Sequence, residues 1–176
     1  LYRSHPFHRL PMAPVLTTFI VGMASVIPVL LVYRLIPPLR GQGLLSSVLV
    51  APFVEEAIKL AAFWLTARRL GYPTLVDSLD YAILFGVLGV GFAVYEDFWY
   101  IFGSTYSSWM AGDPDRFYEV FRWITLARSF PGHILFNATA GFMIGEAVGK
   151  ASSLGRVRGS LAALLAAVVM HALFNL

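Results

Sequence analysis

Residues 44–67, LLSSVLVAPFVEEAIKLAAFWLTA, are apolar almost throughout, yet their middle, APFVEEAIKL at 51–60, holds a proline, two adjacent glutamates and a lysine. Crossing roughly 30 Å of hydrocarbon takes about 20 mostly apolar residues, so the stretch is long enough to span a bilayer. On insertion scales each ionisable group costs about 2.5–3.5 kcal/mol at the bilayer centre, and such groups are kept only where they face other helices or a wet cavity. The stretch therefore reads as one helix of a membrane bundle, with its polar face as a candidate site.

Composition extends this reading to the whole chain. Of 176 residues, 58% are hydrophobic and 13% charged, and the mean hydropathy is +0.71, well outside the range of soluble domains. The expected fold is all-α, a polytopic transmembrane helix bundle forming a single domain over residues 1–176, with about five spans plus an interfacial helix. The net charge of +3 is scattered over loops, which suits lipid headgroups and excludes a nucleic-acid partner, since no basic face recurs on one element. Absence of cysteine excludes disulfide and thiolate chemistry. The chain opens on Leu1 and stops at Leu176 inside an apolar run, so it is expected to be a trimmed segment of a longer protein. The basic stretch 1–11 lacks a signal-peptide cleavage site.

Working outward, residues 13–36 form a first span in which nothing looks chemical, with Pro28 as a kink. After 44–67 comes a polar connection at 71–80, then a span at 79–102 whose Ala82, Gly86, Gly89 and Ala93 share a face suited to close helix packing. Glu96, seven residues after Gly89, lies on that face; Asp97 lies off it, as an interface residue would. Residues 103–128 read as a break rich in Tyr, Trp and Ser. Within it Asp113-Pro114 caps an interfacial helix running from Phe117 to Phe130, and one long kinked helix from Phe117 onward is the alternative. A fourth span covers 133–148, a basic loop carries Lys150, Arg156 and Arg158, and a last span at 159–176 aligns Ala163, Ala167, His171 and Asn175 on one face. This topology collects Arg3, Arg9, Arg68, Arg69, Lys150, Arg156 and Arg158 on one side, against Arg34, Arg40, Arg116, Arg122 and Arg128 on the other. The positive-inside rule then puts the first side, with the N-terminus, in the cytoplasm.

At 100° per residue Pro52, Glu55, Glu56 and Lys59 share one stripe, and Lys59 reaches either glutamate at i+4 or i+3. A self-neutralising Glu–Lys pair accounts for two of the three charges. The third, a surplus carboxylate, is available as a base, and the spacing does not decide which glutamate it is. His133 and His171 each open the same pattern, HILFN at 133–137 and HALFN at 171–175, placing Asn137 and Asn175 one turn after their histidines. At 1.5 Å per residue Glu55 lies roughly 16 Å from one end of its span and Glu96 roughly 9 Å from the corresponding end of its own. His171 lies near that end too and His133 enters from it, so four polar groups on four helices should line one water-filled cavity opposite the basic side.

Glu55-Glu56-x-x-Lys59, Gly91-Phe92-Ala93-x-x-Glu96, His133 ahead of Ala140-Gly141, and His171-x-x-x-Asn175, in that order, resemble the PrsW family of intramembrane endopeptidases. That family sits in the larger group of CAAX prenyl endopeptidases and bacteriocin-processing proteins. The resemblance implies hydrolysis of a peptide bond in a membrane-anchored protein, of the anti-sigma-factor kind, on the outer side of a prokaryotic plasma membrane. It further implies Glu55 as general base, Glu96 where the CAAX enzymes carry a histidine, and His171 with Asn175 as oxyanion donors. Glu56 and His133 complete the expected catalytic group, and Lys59, Phe92 and Asn137 support it. No cofactor is expected. Zinc is possible, held by Glu55, Glu96, His133 and His171, although no HExxH occurs and the Asn after each His suits an oxyanion better. The readings in competition are a zinc-dependent intramembrane metalloprotease and a non-enzymatic proton- or ion-coupled transporter.

Overall fold

The computed structural model describes residues 10–40, 43–70, 75, 77–124, 132–150 and 153–176, and among these there is no strand. The helices are α1 (Met12–Ala24), α2 (Val26–Leu35), α3 (Ala51–Leu70), α4 (Ser78–Met110), α5 (Pro114–Trp123), α6 (Gly132–Lys150) and α7 (Ser153–Phe174). Among the described residues three stretches, Met12–Leu35, Ser78–Met110 and Leu154–Phe174, are long and apolar enough to cross a membrane. The other two expected spans, α3 and α6, are of similar length, 20 and 19 residues, but carry the polar groups that lower their hydropathy. The protein is an integral membrane protein, and Glu55, Glu56 and Lys59 of α3 and His133 and Asn137 of α6 are buried inside the bundle.

Expected positions outside the described residues are Arg3 and Arg9, the connection at 71–74, and the end of the interfacial helix at 125–131 with Arg128. The same holds for the side chains of Arg40 and Lys150.

The first span breaks where its proline requires. Pro28 has no N–H and its ring crowds the carbonyl four residues earlier. The chain accordingly leaves the helix at Ser25, whose Oγ donates to Gly22 O at 2.6 Å. Pro52 disturbs the second span in another way. The chain between Leu45 and Ala51 takes a π-helical turn, Ser46–Val50, in which Ala51 N–H reaches back to Ser46 O. Pro52, next in line, has no N–H for Ser47 O.

α4 is the backbone of the fold, packed on α1 along one side and α6 along the other. Its small residues make both approaches possible. A methyl group on Gly91 would run into Phe19 O, and one on Gly22 into Leu88 O, so α1 and α4 meet at backbone distance. On the other side Gly86 faces Ala138, and Gly89 lies under His133 and Asn137, where a Cβ would come within 2.5 Å of Asn137 Oδ1. α7 packs on α6, burying Ala163 and Ala167, and α3 closes the ring between α7 and α1 around a core of Phe63, Leu84, Phe85, Leu88, Phe136 and Ile144.

α4 begins within one residue of the expected Leu79, where Asp77 and Asp80 form a capping box, with Asp77 accepting from Leu79 N and Asp80 N at 2.9 and 3.0 Å. Three expectations are corrected. α4 does not stop at Phe102. It continues to Met110, with Phe98, Phe102 and Tyr106 stacked along its side and the hydroxyls of Ser104, Thr105 and Ser108 turned back onto carbonyls one turn earlier. Its 33 residues extend about 50 Å, well past the hydrocarbon. Gly112, at φ +72°, then reverses the chain, and α5 opens as expected on the Asp113 cap and folds back against α4. Arg156 and Arg158, expected in a loop, stand in the first turns of α7. Asp97, expected at the interface, is buried.

Candidate functional site

The four helices expected to converge do so. α3 brings Glu55, Glu56 and Lys59, α4 brings Phe92 and Glu96, α6 brings His133 and Asn137, and α7 brings His171 and Asn175.

Glu56 is the hub. Its Oε1 accepts from Lys59 Nζ at 2.5 Å and from His171 Nδ1–H at 2.9 Å, and its Oε2 accepts from Asn137 Nδ2 at 2.7 Å. Three helices are tied to one buried carboxylate. Lys59, with no exposed surface, places its ammonium against three partners at once: Glu56, His133 Nδ1 at 3.1 Å, and the face of the Phe92 ring, 4.3 Å from its centroid. An ammonium has no lone pair to accept with, so His133 Nδ1 is the acceptor, and the proton of the neutral ring sits on Nε2, which donates to Glu96 Oε2 at 2.8 Å. The two histidine rings stand at right angles, centroids 4.8 Å apart, and Phe136 stacks on His171 at 5.3 Å. Asn175 is anchored differently. Its Nδ2 donates at 2.9 Å to Ser47 O, the carbonyl that Pro52 leaves without a helical donor.

Glu55, one residue from the hub, has a different environment. Its Oε2 is buried with no hydrogen-bond partner and lies 3.9 Å from His171 Nε2, the ring nitrogen that the bond to Glu56 leaves with a lone pair. Glu55 and Glu96 also line two cavities. One, of about 480 Å³, is apolar and walled by Val26, Val29, Leu30 and Tyr33 of α2 with Phe92, Trp99 and Tyr100 of α4. The other, of about 390 Å³, is more polar and is formed by Ser47, Ala51, Tyr100, Trp123, His171 and Asn175. Sequence reasoning missed Tyr33, Ser47, Tyr100 and Trp123. The first span in particular, read as chemically blank, forms a wall of the site, and its only signal was the Pro28 kink that turns α2 toward α3 and α4.

Glu55, His133 and His171 each offer one ligand atom within 4.8 Å of the others. One carboxylate and two imidazoles make a donor set known from hydrolytic zinc sites with an open position, and the unpartnered Glu55 Oε2 and the His171 Nε2 lone pair are both free to ligate. Glu55 and His171 fit a zinc ion as they stand, whereas His133 would have to give up its bond to Lys59 or to Glu96 to join them. The expected fourth ligand, Glu96, is instead bonded to His133.

No curated protein and no solved structure matches the chain. A family model does: the description "PrsW family intramembrane metalloprotease" covers residues 10–176, and the chain belongs to that family, a protease embedded in the membrane.

Proposed function

We propose that the chain hydrolyses a peptide bond of a membrane-anchored protein, with Glu55 activating the attacking water. The observation that carries this reading is the contrast within the glutamate pair. Glu56 has its oxygens filled by Lys59, His171 and Asn137, while Glu55, which lines both cavities, leaves its Oε2 without a partner. A general base must reach water and must not be occupied by a stronger donor. Glu96 orders the other side of the same space, its Oε2 holding the His133 Nε2–H.

Asn175 lines the polar cavity beside Glu55 and has one amide hydrogen committed to Ser47 O; its second amide hydrogen is the donor offered to the developing oxyanion. His171 Nε2 carries a lone pair in the free protein and joins it as a donor once Glu55, 3.9 Å away, passes on the proton taken from the attacking water; Glu56 then balances the imidazolium through Nδ1. The substrate is a single-span protein, and the basic ends of α3 and α7, which meet near Arg68 and Arg156, lie away from the site. With those ends cytoplasmic, cleavage falls on the outer side of a prokaryotic plasma membrane.

A second reading has its own support, the convergence of Glu55, His133 and His171 and the family's description as a metalloprotease. Zinc held there would act as a Lewis acid and lower the pKa of bound water. The glutamate reading is favoured because His133 already uses both ring nitrogens, and a dication on that ring would stand beside the Lys59 ammonium. The test is cleavage of single-span substrates by the purified protein, its Glu55→Gln and His171→Ala variants, and protein treated with a chelator. Loss in both variants with chelator resistance is the expected result. Loss on chelation with recovery on zinc addition would establish the second reading, and cleavage surviving both substitutions would overturn both.

A further inference from the structure

The apolar cavity between α2, α3 and α4 is larger than a water site needs, and two features show what it takes. Its walls are Val26, Val29, Leu30, Phe92 and Trp99, while its polar atoms cluster at one end, where Glu55 and Glu96 are shared with the polar cavity. It also contains an unexplained group: Tyr33 Oη is buried and has no hydrogen-bond partner. A buried hydroxyl without a partner is costly, about 1–3 kcal/mol, and is retained where a ligand completes it. Glu55, whose Oε2 is likewise unpartnered, is another of its lining residues. Apolar walls with an unfilled hydroxyl on one of them suit a peptide that presents a large apolar side chain and a backbone carbonyl, and do not suit a lipid tail, which would leave the hydroxyl unfilled.

We propose that this cavity is the subsite for a large apolar side chain of the substrate next to the scissile bond, with Tyr33 Oη donating a hydrogen bond to a substrate backbone carbonyl. Tyr33 is a positioning residue: it holds the chain while the chemistry occurs at Glu55. The assignment rests on the hydrolytic reading above, and it adds what that reading lacks, a source of side-chain selectivity. A difference of one to a few methylenes in an apolar pocket is worth about 10- to 200-fold in kcat/KM.

The experiment uses single-span peptides in which one residue beside the cleavage site is Ala, Val, Leu or Phe, in detergent or nanodiscs, with a photoreactive diazirine leucine at that position for cross-linking. Leu30, 51% exposed at the cavity mouth, tolerates bulk without disturbing the core, so Leu30→Trp is the filling variant. Expected for the unmodified protein are cross-links to residues 26–33 and a preference for Leu or Phe over Ala of at least about tenfold. Leu30→Trp should erase or invert that preference while the Ala peptide is still cleaved. Tyr33→Phe, which removes only an oxygen with no partner in the free protein, should raise KM about tenfold for every peptide, with kcat and the side-chain preference retained.

Cross-links that map to the Ser47–Asn175 cavity, a preference unchanged in Leu30→Trp, or a Tyr33→Phe protein indistinguishable from the parent would each overturn the proposal. Cross-linking to α2 without any cleavage would sink the hydrolytic reading and leave the subsite standing; cleavage without the preference would do the reverse.

Discussion

HILFN on α6 and HALFN at the end of α7 share the pattern H-x-L-F-N, and the structure uses the two copies differently. In the first copy His133 lies between the Lys59 ammonium and Glu96, and Asn137, with no exposed surface, gives its amide to Glu56. In the second, His171 touches Glu56 on one side and faces Glu55 and the polar cavity on the other, while Asn175 stands just past the helix end, held by a backbone carbonyl. Identical spacing gives one pair enclosed by partners and one pair that retains a free face. The position of each copy in its helix decides this: His133 is the second residue of α6, so Asn137 points into the bundle, whereas α7 ends at Phe174 and releases Asn175 toward Ser47. The first copy ties the helices together, and the second keeps a face toward the polar cavity, where the proposed function places the substrate.

Both copies depend on Glu56, so the largest effect should come from disturbing its charge balance. Lys59→Met leaves a buried carboxylate without its cation, and is expected to cost about 3–5 kcal/mol of stability, read as a fall in the unfolding midpoint in detergent. The double variant Lys59→Met/Glu56→Gln should recover much of that loss. If it does not, the carboxylate is not what fastens the two copies, and the comparison fails at its root.

The asparagines test the division directly. Under the proposed function Asn175→Ala should lower kcat by about 10²- to 10³-fold with the unfolding midpoint nearly unchanged, since it removes an oxyanion donor and one bond at the rim. Asn137→Ala should instead cost stability, toward the low end of about 1–3 kcal/mol. It strands Glu56 Oε2, but it also removes Asn137 Oδ1, which has no partner of its own. Activity lost from both with equal stability would merge the two roles.

Much of this division was legible in the sequence and some was not, for physical reasons. Which helices carry the site follows from hydropathy, since polar groups in a span must face inward, and the repeated His–Asn spacing marks α6 and α7. The choice between Glu55 and Glu56 was hidden because they are neighbours on one stripe. The decision belongs to Lys59, Asn137 and His171, two of which come from other helices. Ser47 and Tyr33 were invisible for related reasons. Ser47 acts through a carbonyl exposed by a proline five residues later, and Tyr33 reaches the site only because Pro28 breaks its helix at Ser25. The continuation of α4 beyond Phe102 was masked by serines and a threonine, which compete locally with the helix backbone and so read as a break; here their hydroxyls bond to carbonyls of the preceding turn within an unbroken helix.

Packing sharpens the contrast at a smaller scale. Gly89 lies against the first copy, where an added methyl would come within 2.5 Å of His133 O and Asn137 Oδ1. Gly89→Ala should therefore cost about 1–3 kcal/mol by forcing α6 away from α4. Gly132 faces the second copy, and there a methyl meets the Phe174 ring at 3.5 Å, an ordinary contact. Gly132→Ala should leave the unfolding midpoint nearly where it was, and a loss equal to that of Gly89→Ala would mean the second copy is as tightly enclosed as the first.

The smallest effect is expected where the copies agree. Their shared leucines, Leu135 and Leu173, are 47% and 65% exposed and point out of the bundle. Lipid is as apolar as a leucine side chain, so truncating one there loses little solvation energy and only part of its contacts. Leu135→Ala and Leu173→Ala should each stay within about 0.5 kcal/mol of the parent and leave cleavage intact. The phenylalanines between leucine and asparagine behave otherwise: Phe136 stacks on the His171 ring and Phe174 meets Phe136 edge-on at 5.6 Å, so the two copies touch through that position. A leucine truncation that impaired cleavage would therefore place a partner on the outer face of α6 or α7, where the exposure of these side chains gives no reason to expect one.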